Sequence, residues 1–330
     1  MTAPVGSERG SNGGHTFVGK ALGYLRDNTL LALWLLLAVF LLIIEFIRPG
    51  TVKPVWITNT ILFAAPLGIM AAGQTLVMLT GGIDLSVATV ASGAAYLLAT
   101  NASLGPPAAI LIGLSVGLAV GLANGIGVAL LRVQPLVMTL GTGLMAGGVM
   151  IVYSQQMLAS QPRVPEFIRT LGSAKIGGVL PYDLLLWGPI AALMIIALRR
   201  WGFGRLVYAV GDNREACELA GIRVWRVQLA VYVLCSLFAA LAGFLLVGGT
   251  NASNLQLADS YLLPSVAAVI IGGTSIFGGR GGYSGTIVGA LILTVLTSLL
   301  TLLDTQEPVK QILYGTIILV LAAAYAQLTD

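Results

Sequence analysis

The sequence predicts an all-α, polytopic membrane helix bundle of about ten transmembrane helices, with discontinuous helices and one short cytoplasmic helix. Two observations predict the class. Hydrophobic residues make up 57% of the 330 and charged residues only 9%, whereas a soluble domain carries about a quarter charged. Mean hydropathy is +0.94, and apolar runs near the length of a spanning helix recur between short Gly- and Pro-marked connections. Ten spans use roughly 200 to 250 residues, which leaves no room for a soluble catalytic domain. The net charge of +4 sits in loops and reports membrane orientation rather than nucleic-acid binding. Cys217 and Cys235 lack disulfide or metal-ligand spacing, and the single histidine, His15, lies in a Gly/Ser-rich stretch. No catalytic centre, metal site or cofactor is expected.

Residues 1–28 read as a flexible polar tail, and 29–330 as one transmembrane domain. The first span is expected at 29–47, an uncleaved anchor ended by Pro49, Gly50 and Pro54. A second interval, 57–80, leads into GGIDLSV and a third span at 85–100. Gly81 and Gly82 close one helix there, and Asp84 either caps the next or serves the solute; both readings stand. Span four, 106–131, places Gly113, Gly117, Gly121 and Gly125 at i,i+4 spacing, a flat face for a close neighbour. Asn124 beside it is interhelical glue or faces a cavity. Span five follows at 136–154.

The connection 155–183 has a short surface helix predicted around Glu166 to Leu171, before span six at 184–198. Span seven is expected at 227–248. An apolar segment, 262–271, then meets GGTSIFGGRGGYSGTIVGALIL, whose glycines cannot sustain a regular helix, so a break or re-entrant turn is predicted. Gly281, Gly285 and Gly289 repeat at i,i+4 into a close-packed span at 284–302. The last span is 309–327. Paired glycines near Gly81 and Gly272 share a local grammar that points to a permeation site between discontinuous helices.

The long charged interval, 199–226, carries GDNREACELAG, which predicts one short helix. Asp212 is its expected N-cap, Glu215 the reciprocal capping-box partner, and Gly221 its stop. Arg214 and Glu218 form an i,i+4 pair, while Ala216, Leu219 and Ala220 make a shallow face. About eight residues are too few for an isolated helix, which persists only at roughly 12 to 15. The segment therefore needs a docking surface, either the membrane interface or another protein. Its lack of large apolar anchors favours a protein groove. With the N-terminus inside, the inner set holds eleven basic residues and the outer set (Arg48, Lys53, Arg163, Arg169, Lys175, Lys310) six, of seventeen. That excess places 199–226 in the cytoplasm.

GRLVYAVGDNREACELAGIRV (204–224), GGIDLSV (81–87), RVQPLVMTLG (132–141) and the glycine-rich stretch at 272–293 together resemble the permease subunits of ribose-type ABC sugar importers, over about residues 55–325. The resemblance implies that the short helix is a coupling helix docking on an ATP-hydrolysing subunit through Gly211, Asn213, Ala216 and Gly221. Asp212, Arg214, Glu215, Glu218 and Leu219 belong to the same surface. It also implies a bacterial inner-membrane location, a periplasmic sugar-binding protein, and a second permease copy or paralogue. Ala88 departs from the glycine common in that family. The chain lacks a GxxxxGK[ST] phosphate loop, so ATP hydrolysis is expected in a separate subunit. Candidate path residues are Gln74, Asp84, Asn124, Thr274 and Ser275, each of which also reads as a cap or as helix–helix glue. The alternative is an ion-coupled secondary transporter, for which Glu45, Asp84 and Asp259 are the available ionisable groups. An intramembrane enzyme lacks a convincing catalytic pair.

Overall fold

The computed structural model describes residues 28–156 and 163–329, with side-chain placement to residue 323. The expected N-terminal tail before Asn28 and part of the 155–183 connection lie outside the described residues. The first five helices are α1 (Thr29–Ile47), α2 (Pro54–Leu79), α3 (Val87–Thr100), α4 (Pro106–Ala129) and α5 (Pro135–Gln156). A short α6 (Glu166–Ser173) and a two-stranded hairpin, β1 (Lys175–Ile176) with β2 (Leu180–Pro181), follow. Then come α7 (Leu184–Arg200), α8 (Gly202–Asp212), α9 (Arg214–Leu219), α10 (Val224–Thr250), α11 (Leu262–Ile271), α12 (Tyr283–Leu302) and α13 (Glu307–Thr329). The short surface helix predicted near Glu166 is α6.

Among the described residues, six helices, α1, α2, α4, α5, α10 and α12, are long and apolar enough to cross a bilayer, and the α7–α8 pair, bent by 69°, makes a seventh if taken as one span. The expected ten is therefore a correction. Helices form at the predicted positions, but α3 has 14 residues and α11 ten, about 21 and 15 Å long, against a hydrocarbon core of about 30 Å. Irregular backbone precedes both helices. Before α3 it is residues 81–86, and before α11 the Ala258 N–H donates to Ser92 Oγ of α3 at 2.9 Å. A hydropathy profile counts both segments as spans because it measures apolarity and not helical rise.

The core centres on α10, which packs against α4, α2, α3 and α6. The flat glycine face of α4 is its seat. A Cβ at Gly117 would lie 2.8 Å from the Ser236 carbonyl, and one at Gly121 2.8 Å from Val233 Cα, so the two backbones touch where side chains normally intervene. A second close crossing joins α11 to α12, where a Cβ at Gly285 would meet the Gly272 carbonyl at 1.9 Å and one at Gly289 the Ala268 carbonyl at 2.1 Å. The α1–α2 turn is closed by Glu45, whose carboxylate accepts the N–H groups of Gly50 (2.6 Å) and Val52 (3.0 Å).

Arg132, Arg199, Arg200, Arg205, Arg214, Arg223, Arg226 and Arg280 gather at one end of the bundle, tied by contacts such as Arg132 to Glu218 (3.6 Å) and Arg199 to Ser284 (3.4 Å). Arg48, Lys53, Arg163, Arg169, Lys175 and Lys310 occupy the other end, where Lys175 reaches Asn59 (2.8 Å) and the Arg163 N–H reaches the Ala99 carbonyl (3.1 Å). Among the described residues the two groups follow the two sets counted from the sequence; Arg9, Lys20 and Arg26 of the inner set lie outside the described residues.

Candidate coupling site and the buried polar network

The charged interval folds as two helices rather than one. In α8 the residues Gly204, Val207 and Val210 turn inward, an amphipathic pattern concealed in the sequence by the flanking arginines. Asp212 is the last residue of α8 and is not the N-cap of the next helix. Asn213 takes that role: extended at φ −152°, it accepts the Ala216 N–H at 2.9 Å. With the cap at Asn213 the third helical position passes from Glu215 to Ala216, which has no side-chain acceptor, so the reciprocal capping-box bond does not form. Gly221 ends α9 as predicted, at φ +79°, with the Gly221 N–H on the Glu218 carbonyl (3.0 Å) and the Ile222 N–H on the Cys217 carbonyl (2.9 Å). The predicted Arg214–Glu218 pair is present at 3.1 Å, and Glu218 also meets Arg132.

This six-residue helix presents a surface. Only Cys217 is buried; Glu215, Ala216, Ala220 and Gly221 are exposed, and Leu219 is 84% exposed. Leu219 thus stands exposed among small residues on a capped and ion-paired turn. Gly211 has a different position from the rest. It packs beneath the helix, where a Cβ would lie 1.8 Å from the Leu79 carbonyl and 2.7 Å from the Gly279 amide nitrogen. The Gly279 N–H donates to that same Leu79 carbonyl at 3.0 Å, and the Tyr208 hydroxyl donates to the Gly281 carbonyl at 2.8 Å. The base of this segment is thus joined to both glycine breaks that the sequence singled out.

Of the candidate path residues, the structure brings three together. The Gln74 side-chain amide donates to the Asp84 carbonyl (2.6 Å) and accepts the Asp84 N–H (3.2 Å), as a neighbouring strand would. Asp84 Oδ1 accepts from the Ser86 N–H (2.9 Å) and hydroxyl (2.6 Å). Asn124 donates to Ser86 Oγ at 3.0 Å and accepts from Thr142. Thr139 accepts the Leu85 N–H at 3.0 Å and donates to the Ile83 carbonyl at 3.3 Å. All of these side chains are buried. Non-helical backbone at membrane depth needs such partners, because no water is there to supply them. Asp84 braces Ser86, and no side chain caps the start of α3.

Thr274 and Ser275 sit apart from this network. Thr274 Oγ1 accepts the Gly282 N–H (3.3 Å) and Ser275 Oγ accepts the Phe277 N–H (3.1 Å), so both shape the 272–282 turn. Sequence reading missed Ser86, Thr139 and Thr142, which lie within otherwise apolar runs. The available signal was that Ser86 is two residues from Asp84, and that Thr139 and Thr142 are one helical turn apart on α5.

The family model described as branched-chain amino acid transport system / permease component matches residues 56–322. The chain is 33% identical over 286 residues to the ribose import permease protein of Bacillus subtilis (strain 168), covering 86% of this chain and 88% of that protein. It is 32% identical over 269 residues to the fructose import permease protein of Rhizobium meliloti, covering 78% and 74% respectively. Over 302 residues it is 32% identical to a probable ABC transporter permease protein of Escherichia coli (strain K12), covering 91% and 90%. No solved structure matches. A polytopic bundle with an outward-facing short helix, matched along nearly its whole described length, belongs to the permease-component family of these ABC transport systems.

Proposed function

We infer that the chain is the multi-pass inner-membrane permease of an ATP-binding-cassette importer, and that it passes a sugar or related small polar solute into the cytoplasm. The sugar class rests on the ribose and fructose import permeases among its relatives. The observation that carries the mechanism is α9, whose outer face is exposed while its root is joined to Leu79 and Gly279.

We propose that Asp212, Asn213, Arg214, Glu215, Ala216, Glu218, Leu219 and Gly221 form the face that docks on a cytoplasmic ATPase subunit, with Gly211 as the joint behind it. A stroke of the ATPase then moves α8 and α9 as a lever, and the joint passes it to the breaks after α2 and α11. The two permeases of the complex, two copies or a copy and a paralogue, rock between outward and inward states. A periplasmic binding protein supplies solute recognition. Gln74, Asp84 and Asn124 hold the broken α2–α3 segment beside the path, and Thr274 and Ser275 hold the facing turn. Of the ionisable groups open to an ion-coupled carrier, Glu45 closes a turn, Asp84 braces Ser86 through Oδ1 while its Oδ2 is buried without a hydrogen bond, and Asp259 is exposed at the start of a short 3-10 turn.

Glu215→Lys combined with Gly221→Pro, which cannot adopt φ +79° or donate to the Glu218 carbonyl, is expected to unseat the stop of α9 and abolish solute-stimulated ATP hydrolysis in the purified complex. Normal stimulation in that variant, or uptake that survives deletion of the ATPase partner, overturns the reading. Alanine replacement of Gln74 or Asn124, assayed at fixed expression, separates a brace, which loses assembly, from a path residue, which loses uptake alone.

A further inference from the structure

At the end opposite the coupling helix, a cavity of about 840 Å³ opens among α1, α2, α11, α12 and α13, within the volume range of small-molecule sites. It shares no residue with the coupling site or with the buried polar network. One wall is a stripe of hydroxyls on α12, where Thr294, Thr297, Ser298 and Thr301 fall at i, i+3, i+4 and i+7 on a single helical face. The other face of α12, with Ile292, Val295 and Leu299, packs in the apolar cluster that includes Leu33, Leu37 and Ile44 of α1.

A hydroxyl on a spanning helix can satisfy itself on the carbonyl one turn back, and three of these four do so. Thr294 donates to the Ala290 carbonyl (2.8 Å), Thr297 to the Leu293 carbonyl (2.7 Å), and Thr301 to the Thr297 carbonyl (2.8 Å). Thr297 is also joined to the Tyr314 hydroxyl (2.6 Å), and Thr301 accepts from Lys310 (2.9 Å). Ser298 is the exception: its hydroxyl makes no hydrogen bond among the described residues. In the turn before α11 the hydroxyls of Ser260 and Tyr261 line the same cavity and are likewise without a hydrogen bond among the described residues. Three hydroxyls from two elements thus border one space, each able to donate one hydrogen bond and accept two. Tyr261 and Ser298 are both half-buried, and an enclosed polar side chain ordinarily finds its partner within the fold.

The rest of the lining suits a molecule that is polar at its edge and apolar on its face. Phe63, Leu67 and Pro264 supply apolar surface and Trp56 an indole ring, on which the C–H face of a sugar ring packs. The charged lining residues, Arg48, Asp304 and Glu307, are exposed and of mixed sign, so they select no net charge. An acyl chain would leave the three hydroxyls unmet, and each unmet hydroxyl is costly when buried.

We propose that this cavity is an outer-face site for an uncharged monosaccharide, held by the hydroxyls of Ser260, Tyr261 and Ser298 against the Trp56 and Phe63 rings. The inference rests on the sugar-permease reading and adds to it a place where the chain itself meets the solute. The test is a saturation-transfer NMR titration of the full chain in lipid nanodiscs, without ATPase or binding protein. The probes are D-ribose, D-fructose and, as a ring of similar size with one hydroxyl, cyclohexanol. At least one of the two sugars is expected to bind, and cyclohexanol is expected not to displace it. Ser298→Ala/Tyr261→Phe removes two oxygens that have no protein partner, so the unfolding midpoint should stay at the parent value while affinity falls about tenfold, as for two lost hydrogen bonds. Ser298→Trp, which fills the cavity from α12, is expected to abolish binding by a second route. Binding of neither sugar, affinity unchanged in both variants, displacement by cyclohexanol, or crosslinking from Ser298→Cys to a second copy of the chain each overturn the proposal. The permease reading fails separately, by uptake into cells that survives deletion of the ATPase partner.

Discussion

Gly211 shows how one missing side chain defines a joint. A methyl group there would lie 1.8 Å from the Leu79 carbonyl, a backbone atom that cannot rotate away. Gly211→Ala is therefore expected to cost about 1–3 kcal/mol, as overpacking does. It should also depress solute-stimulated ATP hydrolysis more than Asn213→Ala, which removes only a cap worth about 1 kcal/mol. Unfolding midpoints and coupled hydrolysis measured side by side check that order. Asp183, at the turn into α7, behaves differently. Its side chain is buried, and both carboxylate oxygens lack hydrogen-bond partners. Burial raises its pKa from 3.8 to about 7. The folded state then holds a proton that the unfolded chain has lost between pH 4 and 7, so this group's contribution to stability declines as pH rises through that window and is level above it. Midpoints recorded from pH 5 to 8 should fall and then flatten, and Asp183→Asn should remove the slope.

At the scale of elements, the glycine faces were legible and the breaks only partly so. Spacing at i,i+4 marked Gly113 to Gly125 as a close-packing face, and α10 lies on it. Gly121→Leu is expected to prevent accumulation of folded protein, because a leucine would have to enter the α10 backbone at Val233 and Tyr232; fluorescence-detected size exclusion of the extracted chain measures this. The α7–α8 bend was not legible. It depends on Gly204, where a Cβ would lie 2.4 Å from the carbonyls of Ala197 and Leu198, a contact made across the bend that no local pattern announces. The N-cap was misplaced by one residue for a related reason: Asp212 and Asn213 are equally good caps by residue type. The choice was made by α8, whose packing on α2 carries its helix through Asp212.

For the whole molecule, the apolar composition and the motifs revealed the class and the family, and basic-residue counting sorted the two ends. Span number did not follow, because the apolar runs at α3 and α11 read as spans although the helices they form have only 14 and ten residues. Side chains distant in sequence make the irregular backbone before them tolerable, Thr139 for Leu85 and Ser92 for Ala258, and such pairings leave no periodic trace. Sidedness can be checked directly. Leu219→Cys should react with a membrane-impermeant maleimide only in inside-out vesicles, and much faster than the native Cys217, which is 6% exposed. Reaction of Leu219→Cys in right-side-out cells would contradict the cytoplasmic placement of α9.

The union of Leu79, Gly211 and Gly279 is made of main-chain atoms alone. No side chain takes part there, so a stroke passed through this union, as the proposed mechanism has it, is indifferent to cargo. Swapping solute preference by engineering elsewhere in the bundle should leave the linkage intact, provided that the glycines at 211 and 279 stay without a β-carbon.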